Sequence, residues 1–356
     1  MLGFEKEKYV EMGNLVQSKR TELEAIGQKL YERNVKSIFF TGVGGTTAEF
    51  TSLKKAIENK TALPTYVVNA AELMAEGCKQ LNKDSIVITG SKSGDTKETV
   101  AVAKWCQERG IEVVAITKEG TPLCDHVDYL CTMDTSGVEN TYLSFYYIVL
   151  KLLNLRGEFD DYNEFVKDME HVHESLIKVK EKFDPIAEEI AKKTYKEPYQ
   201  IWIGSGTVWG DVYMFTMCIL EEMQWKRTKA VSSPEFFHGT LELVDEDTCV
   251  FLLKGVGKCR SLDERVEKFL NQYAEKKIVI DLNDYKLEGV SDKFADLCSP
   301  MVAETILTGR LASHIEHHTG HSLAFRRYYR QFDYWWKDYK SITNKQLLKI
   351  IGIIRK

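Results

Sequence analysis

Apolar residues along this chain gather in short unbroken runs separated by amphipathic stretches. Ser37–Phe40, Tyr66–Val68, Ile86–Thr89 and Val113–Ile116 are runs of this kind. A strand with one wet face alternates, whereas a continuous run marks a strand buried on both faces, as in parallel sheets covered by helices. Between the runs lie helical patterns such as Thr96–Arg109, with Val100, Ala103 and Cys106 or Gln107 at helical spacing. Strand–helix alternation predicts a doubly wound α/β sandwich.

The pattern occurs twice. Ile38-Phe-Phe-Thr-Gly42-Val-Gly44 is echoed by Ile201-Trp-Ile-Gly204-Ser-Gly206, an offset of 163 (201 − 38). Thr65 and Thr228 open a second matching pair of segments, and Asp84 and Asp247 a third, both again 163 apart (228 − 65; 247 − 84). Glu112–Ile116 recurs as Lys277–Asp281. The expected fold is therefore two tandem, doubly wound, flavodoxin-like parallel-sheet domains. The expected division is a helical segment (1–34), a first domain (35–160), a helical linker of solvated Glu/Lys-rich helices (161–195), a second domain (196–330) and a C-terminal segment (331–356).

Composition narrows the function. The chain has 356 residues, 44% hydrophobic and 28% charged, with a net charge of −5, so no basic surface points to nucleic acid. The charged start Glu5-Lys6-Glu7-Lys8 does not form a signal peptide core. The most apolar stretch, Tyr142 to Leu155, is broken by Lys151 and too short to span a bilayer. The 8 cysteines show no C-x-x-C pair and sit mostly in apolar surroundings, which reads as reduced core thiols. A cytoplasmic protein without membrane or nucleic-acid partners is expected.

Ligands of doubly wound sheets bind at the carboxyl ends of strands. There the first copy carries two Gly- and hydroxyl-rich turns, Thr41-Gly42-Val43-Gly44-Gly45-Thr46-Thr47 and Gly90-Ser91-Lys92-Ser93-Gly94-Asp95-Thr96. Glycine admits close backbone approach, helix N-termini offer free N–H groups and hydroxyls add donors, so the pair suits a phosphoryl group. A single such turn would be read as helix capping. Neither a Walker loop nor a complete dinucleotide fingerprint is present.

The second copy has lost this cradle: the counterpart of Ser91–Ser93 is Lys254-Gly255-Val256. It carries instead Glu222 and His238, where the first copy has Asn59 and Ala75. Over Asp211–Trp225 a helical period puts Phe215, Cys218, Ile219, Glu222 and Trp225 on one face. A carboxylate there is poorly solvated and poised as a general base, although spacing alone equally allows a structural ion pair. Glu221 points elsewhere, to solvent. Ser233 and Pro234 read as the N-cap and first residue of a helix leading to His238. By itself, a histidine beside Phe236 and Phe237 reads as packing.

Ser91-Lys92-Ser93-Gly94-Asp95-Thr96 resembles the Ser-x-Ser-Gly-Glu/Asp-Thr motif of the sugar isomerase (SIS) domain. Gly45-Thr46-Thr47 resembles that family's Gly-Thr-Ser turn, and Ser136-Gly137-Val138-Glu139-Asn140-Thr141 its Gly-Val-x-x-Thr segment. The likeness spans roughly residues 35 to 330. It implies substrate phosphate binding by Gly45, Thr46, Thr47, Ser91, Lys92, Ser93 and Thr96, and substrate contacts from Val138 and Glu139. Leu220–Trp225 and Phe236–Gly239 resemble motifs of the isomerase half of glucosamine-6-phosphate synthase, with the same 16-residue gap (238 − 222). The resemblance implies that Glu222 is the general base on carbon and that His238, donated by a neighbouring subunit, opens the sugar ring. A homodimer with shared active sites follows from it.

The departures matter too. No glutaminase domain precedes residue 35, Ile219 stands where the synthase has a lysine, and no catalytic tail lysine is matched. Ser322–Tyr329, with its Arg326-Arg327-Tyr328, is more similar to fructosamine-6-phosphate deglycases. The implied activity is cleavage of a phosphorylated sugar-amine, an Amadori 6-phosphate, to glucose 6-phosphate and a free amine, without cofactor. Alternatives are a glucosamine-6-phosphate deaminase or isomerase and a non-catalytic phosphosugar sensor. His314, His317, His318 and His321 with Glu316 match no zincin order, so no metal is expected; one of these histidines could reach the site. The aromatic, basic stretch Arg326–Lys340, with Trp335 and Trp336, reads as an interface or packed segment.

Overall fold

The computed structural model describes residues 1–133 and 137–331. Residues Met1–Leu323 form one compact unit and Ala324–Lys356 a second. Of the second, only the short irregular stretch 324–331 is described, so Trp335 and Trp336 lie outside the described residues, as does Ser136.

Helices α1 (Lys6–Ser18) and α2 (Arg20–Glu32) precede strand β1 (Ser37–Gly42). The chain continues through α3 (Gly45–Ile57), β2 (Thr65–Asn69), α4 (Ala70–Glu76), β3 (Ser85–Ser91), α5 (Lys97–Gln107), β4 (Glu112–Thr117), β5 (Tyr129–Thr132) and α6 (Val138–Leu155). Helices α7 (Tyr162–Met169) and α8 (Val172–Thr194) lead into the second lobe, β6 (Tyr199–Gly204), α9 (Trp209–Met214), β7 (Arg227–Ser232), α10 (Ser233–Phe236), β8 (Cys249–Lys254), α11 (Arg260–Tyr273) and β9 (Lys277–Asp281). Helices α12 (Ala295–Ile306) and α13 (Ala312–Thr319) close the unit.

Both sheets are parallel, ordered β2-β1-β3-β4-β5 and β7-β6-β8-β9. The repeat is thus one topology used twice. Its registers correct the expected match of the first strands by one residue: Ile38 pairs with Thr65 and Ile86 as Gln200, not Ile201, pairs with Thr228 and Cys249, an offset of 162 (200 − 38). Among the described residues the second lobe has no counterpart of β5; beyond β9 the chain turns through Leu282–Tyr285 to α12.

Continuous apolar runs are explained by what covers each face. Ile38 and Phe40 of β1, with Trp202 of β6, join one hydrophobic core that runs through both lobes. Phe39, Val87 and Val113 build a separate small core on the other face of the first sheet, as Ile201, Ile203 and Val250 do in the second. Trp202 stacks on Phe251 at 3.9 Å inside the shared core. Residues 161–195 are no solvated linker. Half of α8 is buried, including Leu176, Phe183 and Ala187, because α8 supplies one wall of the shared core.

The lobes meet at equivalent helices, α3 and α9. Gly210 permits the crossing, since a Cβ there would stand 2.1 Å from the Ala48 carbonyl oxygen. Beside it the fully buried Asp211 accepts hydrogen bonds from Ser52 (3.0 Å) and Tyr142 (2.7 Å) of the first lobe. Overpacking a site where the obstacle is backbone forces the helices apart. Gly210→Ala is expected to lower stability by about 2–3 kcal/mol. Urea unfolding checks this, with a lower midpoint and an unchanged slope.

Candidate functional site

The two turns singled out in the first lobe lie on adjacent strands, β1 and β3, and open one cleft of about 110 Å³. Its lining includes Thr46 and Glu49 of α3, Gly90, Ser91 and Lys92 after β3, Thr117 of β4 and Val138 of α6. Gly94, with φ +65°, closes the second turn against Thr121, whose Oγ1 would stand 2.1 Å from any Cβ there. The Ser91 hydroxyl receives the Gly94 N–H at 3.0 Å and lies 3.1 Å from the hydroxyl of Thr96, the N-cap of α5. The turn is thus held open by its own hydroxyls, with Lys92 exposed at the rim. A Gly-bounded turn at a helix start, carrying hydroxyls and an ammonium, suits a dianionic phosphoryl group.

Of the residues expected to bind phosphate, Thr46, Ser91 and Lys92 line the cleft. Ser93 hydrogen-bonds Asp95 and Thr96 shapes the turn from behind. Gly45 faces the second lobe, where a Cβ would stand 3.5 Å from the Met214 sulfur and 3.7 Å from that of Cys218. The Thr47 hydroxyl is buried without a hydrogen-bond partner. Val138 is in the lining but Glu139 is not. Glu139 is buried and its carboxylate meets the buried Lys180 ammonium at 3.1 Å. Lys180 and the Tyr9 hydroxyl hold it in its charged form, below the usual carboxylate range despite the burial that opposes this. Substrate contact by this carboxylate is therefore replaced by a structural ion pair, and the adjacent Gly137–Val138 backbone is what the cleft meets.

The helix bearing Glu222 departs from its expected winding. From Phe215 to Glu221 it is a π-helix, and the Glu222 amide donates to the Met217 carbonyl at 3.1 Å, five residues back. Trp225 ends it with φ +54°. The wider turn breaks the expected stripe: Phe215 and Ile219 are buried, Cys218 and Glu222 half-buried, and Trp225 is exposed. π turns of this kind recur at functional sites because they present side chains an α-helix would turn away. Glu221 is exposed and accepts from the Thr228 hydroxyl at 2.6 Å, as expected of a solvent-facing residue.

Cys218 shows where Glu222 stands. Its sulfur lies beside Gly45 of the cradle, and burial, then the charges of Glu222 and Glu49, push its thiol up to about 12. The helix that carries the candidate base thus meets the Gly45 turn of the first lobe, while Glu222 itself is not among the residues lining the cleft. His238 is not brought there by its own chain. It is exposed, just past α10, with its backbone N–H donating to the Glu235 carbonyl at 3.0 Å. Ser232, not Ser233, occupies the N-cap, which moves Pro234 to the second helical position.

Ser233 has another task. Its hydroxyl and that of Ser205 each donate to Asp263 at 2.6 Å, and the Gly255 N–H donates at 3.1 Å. These groups surround the strand ends equivalent to the first lobe's cradle, so a carboxylate of the chain itself fills the place an anion would take. Asp296 accepts from Thr207 in the same cleft and abuts Gly257.

The histidines resolve into packing roles. His314 contacts Glu188 at 2.8 Å and Asp184 at 2.9 Å through its two nitrogens, and His318 contacts Glu188 at 2.9 Å, tying α13 to α8. Glu316 accepts from the Leu323 N–H at 2.7 Å. His321 packs edge-on against Trp225, three residues past Glu222, with ring centroids 4.3 Å apart. Among the described residues no group of three or more His, Cys, Asp or Glu is placed to hold a metal ion, and all eight cysteines are free. Nor does any described helix have the length and apolarity to cross a membrane.

Glu49 escaped the sequence reading. Its signal was present: a carboxylate four residues past Gly45, on a helix that otherwise buries Ala48, Phe50 and Leu53. Asp211, the buried acid of the lobe joint, carried no sequence signal beyond its neighbour Gly210.

The parallel order and the Gly-turns at the strand ends define a doubly wound α/β class. The first lobe is a SIS domain, whose family model matches residues 31–155. The chain is 29% identical over 322 residues to fructosamine deglycase FrlB of Bacillus subtilis, covering 88% of this chain and 97% of that one. It is 20% identical over 261 residues to fructoselysine 6-phosphate deglycase of Escherichia coli, covering 73% of this chain and 77% of that one. A crystal structure of a proposed phosphosugar isomerase from Bacillus subtilis superposes with a TM-score of 0.85 at 27% identity, covering 90% and 99% of the two chains.

The asymmetry of the lobes predicts one phosphosugar bound per chain. Titration calorimetry with glucose 6-phosphate is expected to give a stoichiometry of one. Ser91→Ala is expected to weaken binding about tenfold and Ser93→Ala less than about threefold, since one lost hydrogen bond to a charged group is worth roughly 1.5 kcal/mol or more.

Proposed function

We propose that this chain is a fructosamine-6-phosphate deglycase that converts an Amadori 6-phosphate and water to glucose 6-phosphate and a free amine or amino acid. The observation that carries this reading is the placement of the helix that leads to Glu222: it packs through Met214 and Cys218 against Gly45, in the turn beside the phosphate-suited cleft of the other lobe. A base near, but not in, the phosphate cradle suits proton transfer at carbons several bonds from the phosphate. The similarity to two deglycases across most of the chain supports the substrate class.

In the proposed reaction the turn around Ser91 and Lys92 anchors the 6-phosphate and His238 assists opening of the sugar ring. Glu222 takes a proton from C1 of the open-chain ketoamine while the C2 oxygen gains one, giving an enaminol. Return of a proton to C2, with the C1=C2 pair forming the new C–H bond and the nitrogen lone pair closing a C1=N double bond, gives a protonated imine at C1. Water adds to C1 and the amine departs with the proton the water releases. The chemistry needs a positioned base and water, and no change of oxidation state in total.

His238 is exposed and does not line the cleft of its own chain, which suits delivery to the site of a second subunit across a two-fold interface. A working dimer with shared sites is part of the proposal.

The decisive assay couples glucose 6-phosphate release to a panel of fructosamine 6-phosphates. Glu222→Gln is expected to lower kcat by at least about a thousandfold, in the range for loss of a general base, while glucose 6-phosphate binding survives. Glu221→Gln is expected to stay within about threefold of the parent. Near-normal turnover in Glu222→Gln would reassign the base. The shared site is tested by mixing inactive Glu222→Gln and His238→Ala subunits under exchange conditions. Random pairing of a cross-subunit site restores up to about a quarter of parental activity per subunit. Verified exchange with background activity would place both residues in one chain's site.

A further inference from the structure

The phosphate cleft contains an acid. Glu49 lines it together with Ser91 and Lys92, and among the described residues its carboxyl has no hydrogen bond or ion pair. A carboxylate facing the place of a dianionic phosphate would repel it by as much as the neighbouring lysine attracts it. Behind Glu49, on the side away from the cleft, stands the joint between the lobes.

Every element packed around Glu49 adds negative or neutral groups, with one exception. Helix α9 contributes Asp211, fully buried and holding two hydrogen bonds. Helix α12 contributes Glu304, also buried, whose two carboxyl oxygens have no hydrogen-bond partner. Helix α6 brings the Tyr142 hydroxyl and the π-helix brings Cys218, with Glu222 beyond it. Lys92, across the cleft, is the cation whose field reaches Glu49. Asp211 and Glu304 are buried and Glu49, on the cleft wall, is half-buried, so ionising all three sets like charges against one another in a poorly solvated joint. Burial raises the Asp211 carboxyl to about 8 as well, although Tyr142 and Ser52 donate to it and favour its charge. Glu49 and Glu304 lack such donors and keep their protons.

We propose that Glu49 is a specificity-determining residue of the cleft, which admits an anionic phosphosugar only while its own carboxyl is protonated and able to donate a hydrogen bond. This rests on the phosphosugar reading of the cleft, though not on the deglycase reaction. Burial, then the charge of Asp211, raise the Glu49 carboxyl to about 8 against the opposing effect of Lys92. The sign follows: the binding-competent acid is present below that value and lost as pH rises through it. Ligand binding must then draw a proton onto the protein in mildly alkaline solution, where a free sugar phosphate is already a dianion.

The test uses the full chain and glucose 6-phosphate, followed by calorimetry between pH 7 and pH 9.5. The unsubstituted protein is expected to bind about tenfold more weakly at pH 9 than at pH 7. In two buffers of different ionisation enthalpy it is expected to take up about half a proton per ligand at pH 8. Glu49→Gln, which keeps shape and donor but cannot ionise, is expected to bind with a flat pH profile and no proton uptake. Absence of proton uptake by the unsubstituted protein overturns the proposal without recourse to any variant. An unchanged alkaline loss in Glu49→Gln also overturns it and assigns the proton to Asp211 or Glu304. Failure of the unsubstituted protein to bind glucose 6-phosphate at any pH overturns both this inference and the phosphosugar reading.

Discussion

The close crossing of α3 and α9 governs this molecule. Each helix follows the first strand of its own lobe, so their contact joins two copies of one unit at equivalent positions. Gly210 lets the backbones meet at Ala48, and Asp211 is then sealed between Ser52 and Tyr142. Burying an ionisable group is unfavourable unless donors satisfy it, so the site tolerates little displacement. One hydrophobic core running through both lobes reinforces the same geometry.

The functional arrangement depends on that joint. The cradle turn begins α3, and the π-helix bearing Glu222 continues α9. Fixing the two helices therefore fixes the separation of phosphate cleft and candidate base, with Gly45 against Met214 and Cys218 as the contact between them. Neither lobe holds both halves of the chemistry. Duplication supplied two strand-end clefts, and the second was closed from within when Asp263 took the hydrogen bonds an anion would have accepted. The freed lobe carries Glu222 and His238 instead.

Buried carboxyls recur wherever the lobes approach each other, and each is managed differently. Glu139 is paired with Lys180, Asp211 is raised by burial to about 8 against the hydrogen bonds from Tyr142 and Ser52, and Glu304 retains a proton that burial favours. The contrast shows why a residue type in a motif does not define its role. Glu139 sits in the matched segment beside Val138, yet its partner lies on α8, a helix separated from it by some forty residues of chain.

Repeat, strand positions and the Gly-turn cleft were legible in the sequence because they rest on local properties: apolar runs, glycine and hydroxyl residues at strand ends, and a constant offset. Ser91, Thr46 and Lys92 could be read as cleft residues for the same reason. What required the tertiary structure was every feature set by contacts between distant segments. The π winding moved Glu222 off the stripe that a 3.6-residue period assigns it, because helix type there answers to packing against the first lobe. Lys180 drew Glu139 inward, and α8 became a core wall although its composition suggested solvent. Glu49 became a cleft acid only when Asp211 and Glu304 arrived behind it from the other lobe. Periodicity reports which face of an element is buried, whereas the charge a side chain keeps depends on neighbours that only folding supplies.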